Sequence, residues 1–211
     1  MTIPTRTSAP IAQRMQLLMI LAGIDSSHRR TKEALEKYQL LAEYHCELGH
    51  LPGLALALNG MGEACALAES NVEARSHFER ALTPAIDAQD IPTLTAITFN
   101  LARLHQSQRE WSSAAEYYDG LSTLARASLN AALQVSCHEQ RGVCQRELGQ
   151  IDPALGEWSA GAALSEGAGM LDQQLMFLSR SAQLLATRGR NNEVRTLERQ
   201  IGSVLRNVAV R

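Results

Sequence analysis

An all-α solenoid of about five stacked helix pairs is the fold class that this sequence predicts, on three observations. Ala34, Ala74, Ala114 and Ala154, with Val194 in the fifth register, recur at a period of 40 residues with no insertion. Twelve positions before each lies a small residue: Ala22, Gly62, Ala102, Gly142 and Ala182. Aromatics make up only 4% of the 211 residues, while the good helix formers Ala, Leu, Glu, Gln and Arg dominate. A fixed period of this length is the mark of stacked supersecondary units, and 45% hydrophobic content supplies a substantial core.

The residue types follow from helix packing. Two antiparallel helices that cross closely need a small residue on each partner at the crossing. Four positions after each second-helix Ala come Tyr38, Phe78, Tyr118 and Trp158, with Glu198 the exception, and three further on come Leu41, Ala81, Leu121, Gly161 and Ile201. The ring shares a face with the Ala one turn earlier. It can fill the gap between its own pair and the next, so a single pair would leave it exposed and stacking is obligatory.

The elements fall in order, with repeats at about 12–50, 51–90, 91–130, 131–170 and 171–205, forming one domain over 10–211 after a disordered tail at 1–9. The first pair is degenerate, with Asp25 expected to follow a weak first helix and Gly49 to end the second. In the second pair, Ser70-Asn71-Val72-Glu73 reads as a capping box, and Pro84 is expected to kink or end the helix it sits in. The third carries a similar box at Ser113-Ala114-Ala115-Glu116. In the fourth, Gly149 is a stop and Asp152-Pro153 reads as an N-cap followed by a first-turn proline. The fifth has a stop at Gly189 and a last helix from about Asn192 to Val208. Leu197, Ile201, Val204, Leu205 and Val208 give that helix an apolar stripe that either caps the solenoid or mediates a homodimer through the C-terminal helix.

This pattern resembles the tetratricopeptide repeat (TPR) family, in its 40-residue variety, over about residues 12–205. The resemblance rests on Leu58-Asn59-Gly60-Met61-Gly62 with Ala74, Phe78 and Ala81. It rests equally on Phe99-Asn100-Leu101-Ala102 with Trp111, Ala114, Tyr118 and Leu121, and on Gly142, Leu148-Gly149, Ala154 and Trp158. It implies a right-handed superhelix like those of kinesin light chains and bacterial regulatory proteins. It further implies that a protein or peptide partner lies on the concave face formed by the first helices. Residue by residue, that face would comprise Asn59 and Glu63, then Phe99, Asn100, Arg103 and Gln106, then Glu139, Gln140 and Arg146, then Arg180 and Gln183. Asn100 resembles the groove asparagine that holds ligand backbone. Arg103 and Arg146 would select acidic side chains, with Glu139 meeting a basic one or orienting an arginine. The family's lysine clamp for chaperone tails is missing, since Lys32 and Lys37 are the only lysines and both fall in a second helix.

Charge and motifs exclude other classes. The net charge of −2 argues against a nucleic-acid binder, although 180–211 holds seven Arg against Glu193 and Glu198, leaving that segment about +5 and the remainder about −7. No signal peptide is expected, and the apolar run 15–23 is too short to span a membrane. Cys46, Cys65, Cys137 and Cys144 lie in apolar helical stretches without C-x-x-C spacing, which suggests packed free thiols in a reducing, cytoplasmic compartment. Few Lys beside many Arg fits a high-GC bacterium. His45 and His50 do not form a zinc-protease motif, and Gly49 between them means that they need not share a face. Cys137, His138 and Cys144 lack a fourth ligand, and Gly60-Met61-Gly62 has no preceding strand for a dinucleotide loop. No metal, cofactor or catalytic residues are expected, and the chain is not expected to be an enzyme. The sequence therefore predicts a protein- or peptide-binding scaffold, with a ligand-sensing regulatory module as the alternative and a nucleic-acid factor using the basic C-terminus as a minor one.

Overall fold

The computed structural model describes residues 8–209, in ten α-helices. These are α1 Ser8–Ser27, α2 Thr31–Glu47, α3 Leu51–Leu67, α4 Asn71–Asp87, α5 Ile91–Ser107, α6 Trp111–Ala127, α7 Ala131–Glu147, α8 Ile151–Gly167, α9 Leu171–Thr187 and α10 Asn191–Ala209. No strand occurs among the described residues. Of the expected tail over 1–9, only Ser8 and Ala9 are described, and they begin α1.

The links repeat every 20 residues. The second residue after the end of each of the first nine helices has a left-handed backbone: Arg29, Glu69, Gln89, Arg109 and Leu129 do so as non-glycines, and Gly49, Gly149, Gly169 and Gly189 as glycines. This is the Schellman arrangement: Gly49 N–H donates to the Cys46 carbonyl at 3.1 Å and His50 N–H to the His45 carbonyl at 2.9 Å. Three glycines are legible as stops in the sequence; Gly169 and the five non-glycines take the same conformation because the spacing demands it.

Several expectations at helix ends are corrected. Ser70 precedes α4, yet its side chain makes no capping bond. Ser113 lies inside α6, which starts after Glu110. Asp152 and Pro153 are the second and third residues of α8, behind Gln150. Each second-helix start is set by the preceding Schellman turn, so a side-chain cap is not what positions it. Asp25 lies within α1, where its carboxylate pairs with Arg30 and with Lys37 at 2.6 Å. Pro84 does not end α4, which continues to Asp87. The proline sits in the last turn, where it removes one intrahelical bond, and its carbonyl accepts Ala88 N–H at 3.1 Å.

The chain divides into two compact units, one ending at Leu104 and the other beginning at His105. In the first unit, α3 is wrapped on most sides: Ala55, Ala57, Leu58, Met61, Ala64 and Cys65 are all buried. Small residues admit its neighbours. A Cβ on Gly60 would overlap the Tyr38 ring of α2, and one on Gly62 would meet the Phe78 ring of α4 at 2.5 Å. Gly53 lies against the His45 ring. His50 Nδ1 sits 3.1 Å from His45 Nδ1 and accepts Gly53 N–H at 3.2 Å, so the two histidines do share a site, brought together by the Gly49 turn. Cys46 is exposed, unlike the other three thiols.

The second unit packs Val135, Ala154, Trp158, Ala162, Phe177 and Leu184 into one cluster. Trp158 lies over Gly142, and Phe177 lies over Gly161. Trp158 Nε1 donates to the Glu139 carbonyl at 3.3 Å, which satisfies the one polar atom of the buried ring. Burial pushes the Cys137 and Cys144 thiols up to about 11, so both stay protonated near neutrality and serve as small core groups. α10 packs on α9 with Val194, Leu197, Ile201 and Val204 half-buried, while Leu205 is exposed; the Val208 side chain lies outside the described residues. A cavity of about 320 Å³ remains between α8, α9 and α10, lined by Leu155, Trp158, Leu178, Leu185 and Leu197 among others.

Candidate functional site

The residues expected to line a first-helix groove form a distinct network in each unit. In the first, Asn59 on α3 is buried rather than exposed. Its amide donates to Glu63 Oε1 at 2.8 Å, one turn along the same helix. Asn100 on α5 donates to both Asn59 Oδ1, at 3.1 Å, and Glu63 Oε1, at 2.9 Å. Asn59 is therefore a positioning residue beneath the surface. The Asn100 amide donor is committed within the protein, which corrects the expectation that it both donates to and accepts from a ligand. Among the described residues, Asn100 Oδ1 and the second oxygen of Glu63, both acceptors, take part in none of these bonds. Beside them the Arg103 guanidinium stacks over half-buried Phe99, 5.7 Å from the ring centroid.

In the second unit, Gln106 and Gln140 are joined by a bond of 3.0 Å from the Gln106 amide, and Tyr118 Oη donates to Gln106 Oε1 at 2.9 Å. These two glutamines stiffen the face and have less left to offer a ligand. Glu139 on α7 orients Arg180 on α9, with Arg180 Nη2 at 2.9 Å from Glu139 Oε1. Arg146, in the last turn of α7, is held by Glu147.

Arg146, Arg180 and Gln183 line a pocket of about 260 Å³ together with Trp158, Leu184 and Thr187. Arg146 uses Nε and Nη2 on Glu147, and Arg180 uses Nη2 on Glu139. The other N–H groups of these forks and the Gln183 amide remain for a ligand. The pocket thus combines apolar and donor-bearing side chains, which suits a carboxylate carried on a short aliphatic stem. The sequence names the three polar residues but not Trp158, Leu184 or Thr187. The 40-residue pattern marks the Trp158 ring as a packing group, and the ring is indeed buried at 1% exposure even where it borders the pocket.

Outside these networks, Arg141 bridges Glu157 at 2.9 Å and Asp119 at 3.2 Å, and His138 Nδ1 lies 2.9 Å from Glu157. Among the described residues, no group of three or more His, Cys, Asp or Glu is placed to hold a metal ion. No helix among them is long and apolar enough to cross a membrane.

No protein-family model matches the chain, and no curated protein sequence matches it significantly. Solved structures do. A Podosopora anserina protein described as a kinesin light chain with nearly identical TPR-like repeats aligns at a TM-score of 0.71 and 15% identity, covering 92% of this chain and 96% of the other. This chain has a TPR-like repeat fold. The apo form of RapI aligns at a TM-score of 0.76 and 13% identity, over 90% of this chain and 53% of RapI. A Rap protein complexed with competence and sporulation factor aligns at a TM-score of 0.60 and 11% identity, over 93% of this chain and 65% of the Rap protein. At these identities the TPR likeness is one of fold.

Proposed function

We propose that this chain is a protein- or peptide-binding TPR scaffold, and that its second unit holds an acidic side chain of the bound segment. The observation that carries this reading is the pocket that Arg146, Arg180 and Gln183 line together with Trp158 and Leu184. Each guanidinium is pre-oriented by a carboxylate, so less side-chain freedom is lost on binding. In the first unit, the Asn100 and Glu63 oxygens offer acceptors for ligand backbone N–H groups. A segment with an Asp or Glu beside a small apolar residue fits the second unit's pocket.

The test is binding to an array of labelled peptides in which each Asp or Glu is paired with its Asn or Gln counterpart. The acidic members should be preferred. Arg146→Ala with Arg180→Ala should weaken them at least about tenfold, because each lost charge-assisted hydrogen bond is worth roughly 1.5–3 kcal/mol. The melting temperature should barely move, since both side chains are partly solvent-exposed. Equal binding of the amide counterparts, or loss of binding on Arg126→Ala in the second helix α6 but not in the pocket variant, would overturn this reading.

A sensor role is the second reading, supported by the Rap structure solved with competence and sporulation factor. It requires the ligand to bind two conformations unequally. Hydrogen exchange that changes beyond α7–α9 when the preferred peptide is added would favour it over a passive scaffold.

A further inference from the structure

α1 exposes an apolar stripe that the repeat itself explains. Leu17, Ile20, Leu21 and Ile24 are 56%, 54%, 39% and 42% exposed. They stand at i, i+3, i+4 and i+7, and so form one face of the helix. Forty residues on, and at each further period, the register of Leu17 holds Ala57, Ile97, Cys137 and Phe177, all buried. The register of Ile24 holds Ala64, Leu104, Cys144 and Leu184, also buried. This register meets the preceding helix: Gly60, in the register of Ile20, lies under Tyr38 of α2, and Phe177 lies over Gly161 of α8. Leu17, Leu21 and Ile24 therefore stand in the register that docks on a preceding helix, with Ile20 at its edge, where Asn100, Gln140 and Arg180 are half-buried, and among the described residues no helix covers them.

We infer that this face takes the same face of a second copy of the chain, forming a two-fold dimer by antiparallel packing of α1 on α1. Three observations single out a second copy. The stripe from 17 to 24 contains no charged side chain, so pairing it with itself desolvates no charge and brings no like charges together. It is bounded by Gln13 and Arg14 at one end and Ser27 and His28 at the other. With the register centred between Ile20 and Leu21, Leu17 of one copy meets Ile24 of the other, and the polar ends flank the contact. The alternative head-to-tail partner, the outer side of α10, carries Glu198 where the repeat has a ring, flanked by exposed Arg195 and Arg199. Stacking α1 on it would strip water from those charges. A two-fold pairing also uses each face once and closes, whereas head-to-tail stacking would continue into a filament. Four apolar side chains per copy place the interface at the small end of the specific range, below about 1,200 Å² in total, so the dimer should be reversible.

The test is sedimentation velocity of the full chain from low micromolar to submillimolar concentration. A reversible monomer–dimer equilibrium is expected. Leu17→Glu with Leu21→Glu should raise its Kd at least about tenfold. The milder Leu17→Gln with Ile20→Gln should raise it less, and melting curves matching the wild type show that either variant is folded. Leu205→Glu on α10 should leave the dimer intact, as should removal of residues 2–7. The inference is overturned by a monomer at every concentration, by assemblies that grow beyond a dimer, by a dimer that survives both α1 variants, or by one that Leu205→Glu abolishes. A dimer that appears only when residues 2–7 are removed also overturns it, by showing that this segment covers the face.

Discussion

Gly142→Ala probes the packing rule of the repeat most directly, because two effects of known size oppose each other. In an exposed helix interior, alanine is favoured over glycine by roughly 1 kcal/mol. At position 142, however, the added methyl would overlap the Trp158 indole at Nε1 and Cδ1. That ring has little room to move. It is buried among Val135, Phe177 and Leu184, and Nε1 is bonded to the Glu139 carbonyl at 3.3 Å. Overpacking of this kind costs about 1–3 kcal/mol, and loss of the indole bond in a buried setting adds about 1 kcal/mol. The net change should be destabilising by about 1–3 kcal/mol, which lowers the melting temperature by roughly 2–12 °C in a chain of this size. Gly156→Ala is the control: it lies in the neighbouring helix α8, is exposed, and a Cβ there meets nothing within 4 Å. It should stabilise by about 0.5–1 kcal/mol. Urea unfolding followed by tryptophan fluorescence measures both, since Trp111 and Trp158 both lie in the second unit. If the two substitutions stabilise equally, the claim that the ring dictates glycine at 142 is refuted.

Trp158→Ala should cost about 3–5 kcal/mol, because the ring is fully buried in the second unit's cluster; an unchanged urea midpoint would contradict the packing described. Leu129→Gly should stabilise by up to about 1 kcal/mol, since Leu129 is exposed with φ of 53°, a conformation that costs a side-chain-bearing residue about that much; a lower melting temperature would show that its side chain matters. Burial, with His50 beside it, holds His45 below its ordinary value of 6.5. The folded state therefore binds fewer protons than the unfolded one, so stability is full above pH 6.5 and falls as the pH drops below it. Melting curves between pH 7.5 and 5.5 should show this decline, and His45→Gln should flatten it.

The 40-residue period, read without coordinates, determines the number, order and pairing of the helices, because a solenoid repeats one local solution and each repeat carries its own crossing residues. It also names the rings that fill the crossings, since only a small residue facing a large one closes two helices without a gap. The exact helix starts were less legible. Ser113 and Asp152 look like caps, yet backbone Schellman bonds, which leave no side-chain trace at Glu69, Gln89, Arg109 or Leu129, set the links. The candidate site divides in the same way. Arg146, Arg180 and Gln183 were readable as outward positions through the TPR resemblance, which assigns them to the concave face. That Asn59 is buried, that Asn100 spends its donor on Asn59 and Glu63, and that Trp158 borders a pocket depend on contacts 16 to 41 residues apart. A periodic sequence reports which face of a helix a residue occupies. Only the folded chain decides which neighbour claims its hydrogen bonds, because that depends on distances between helices that no single repeat encodes.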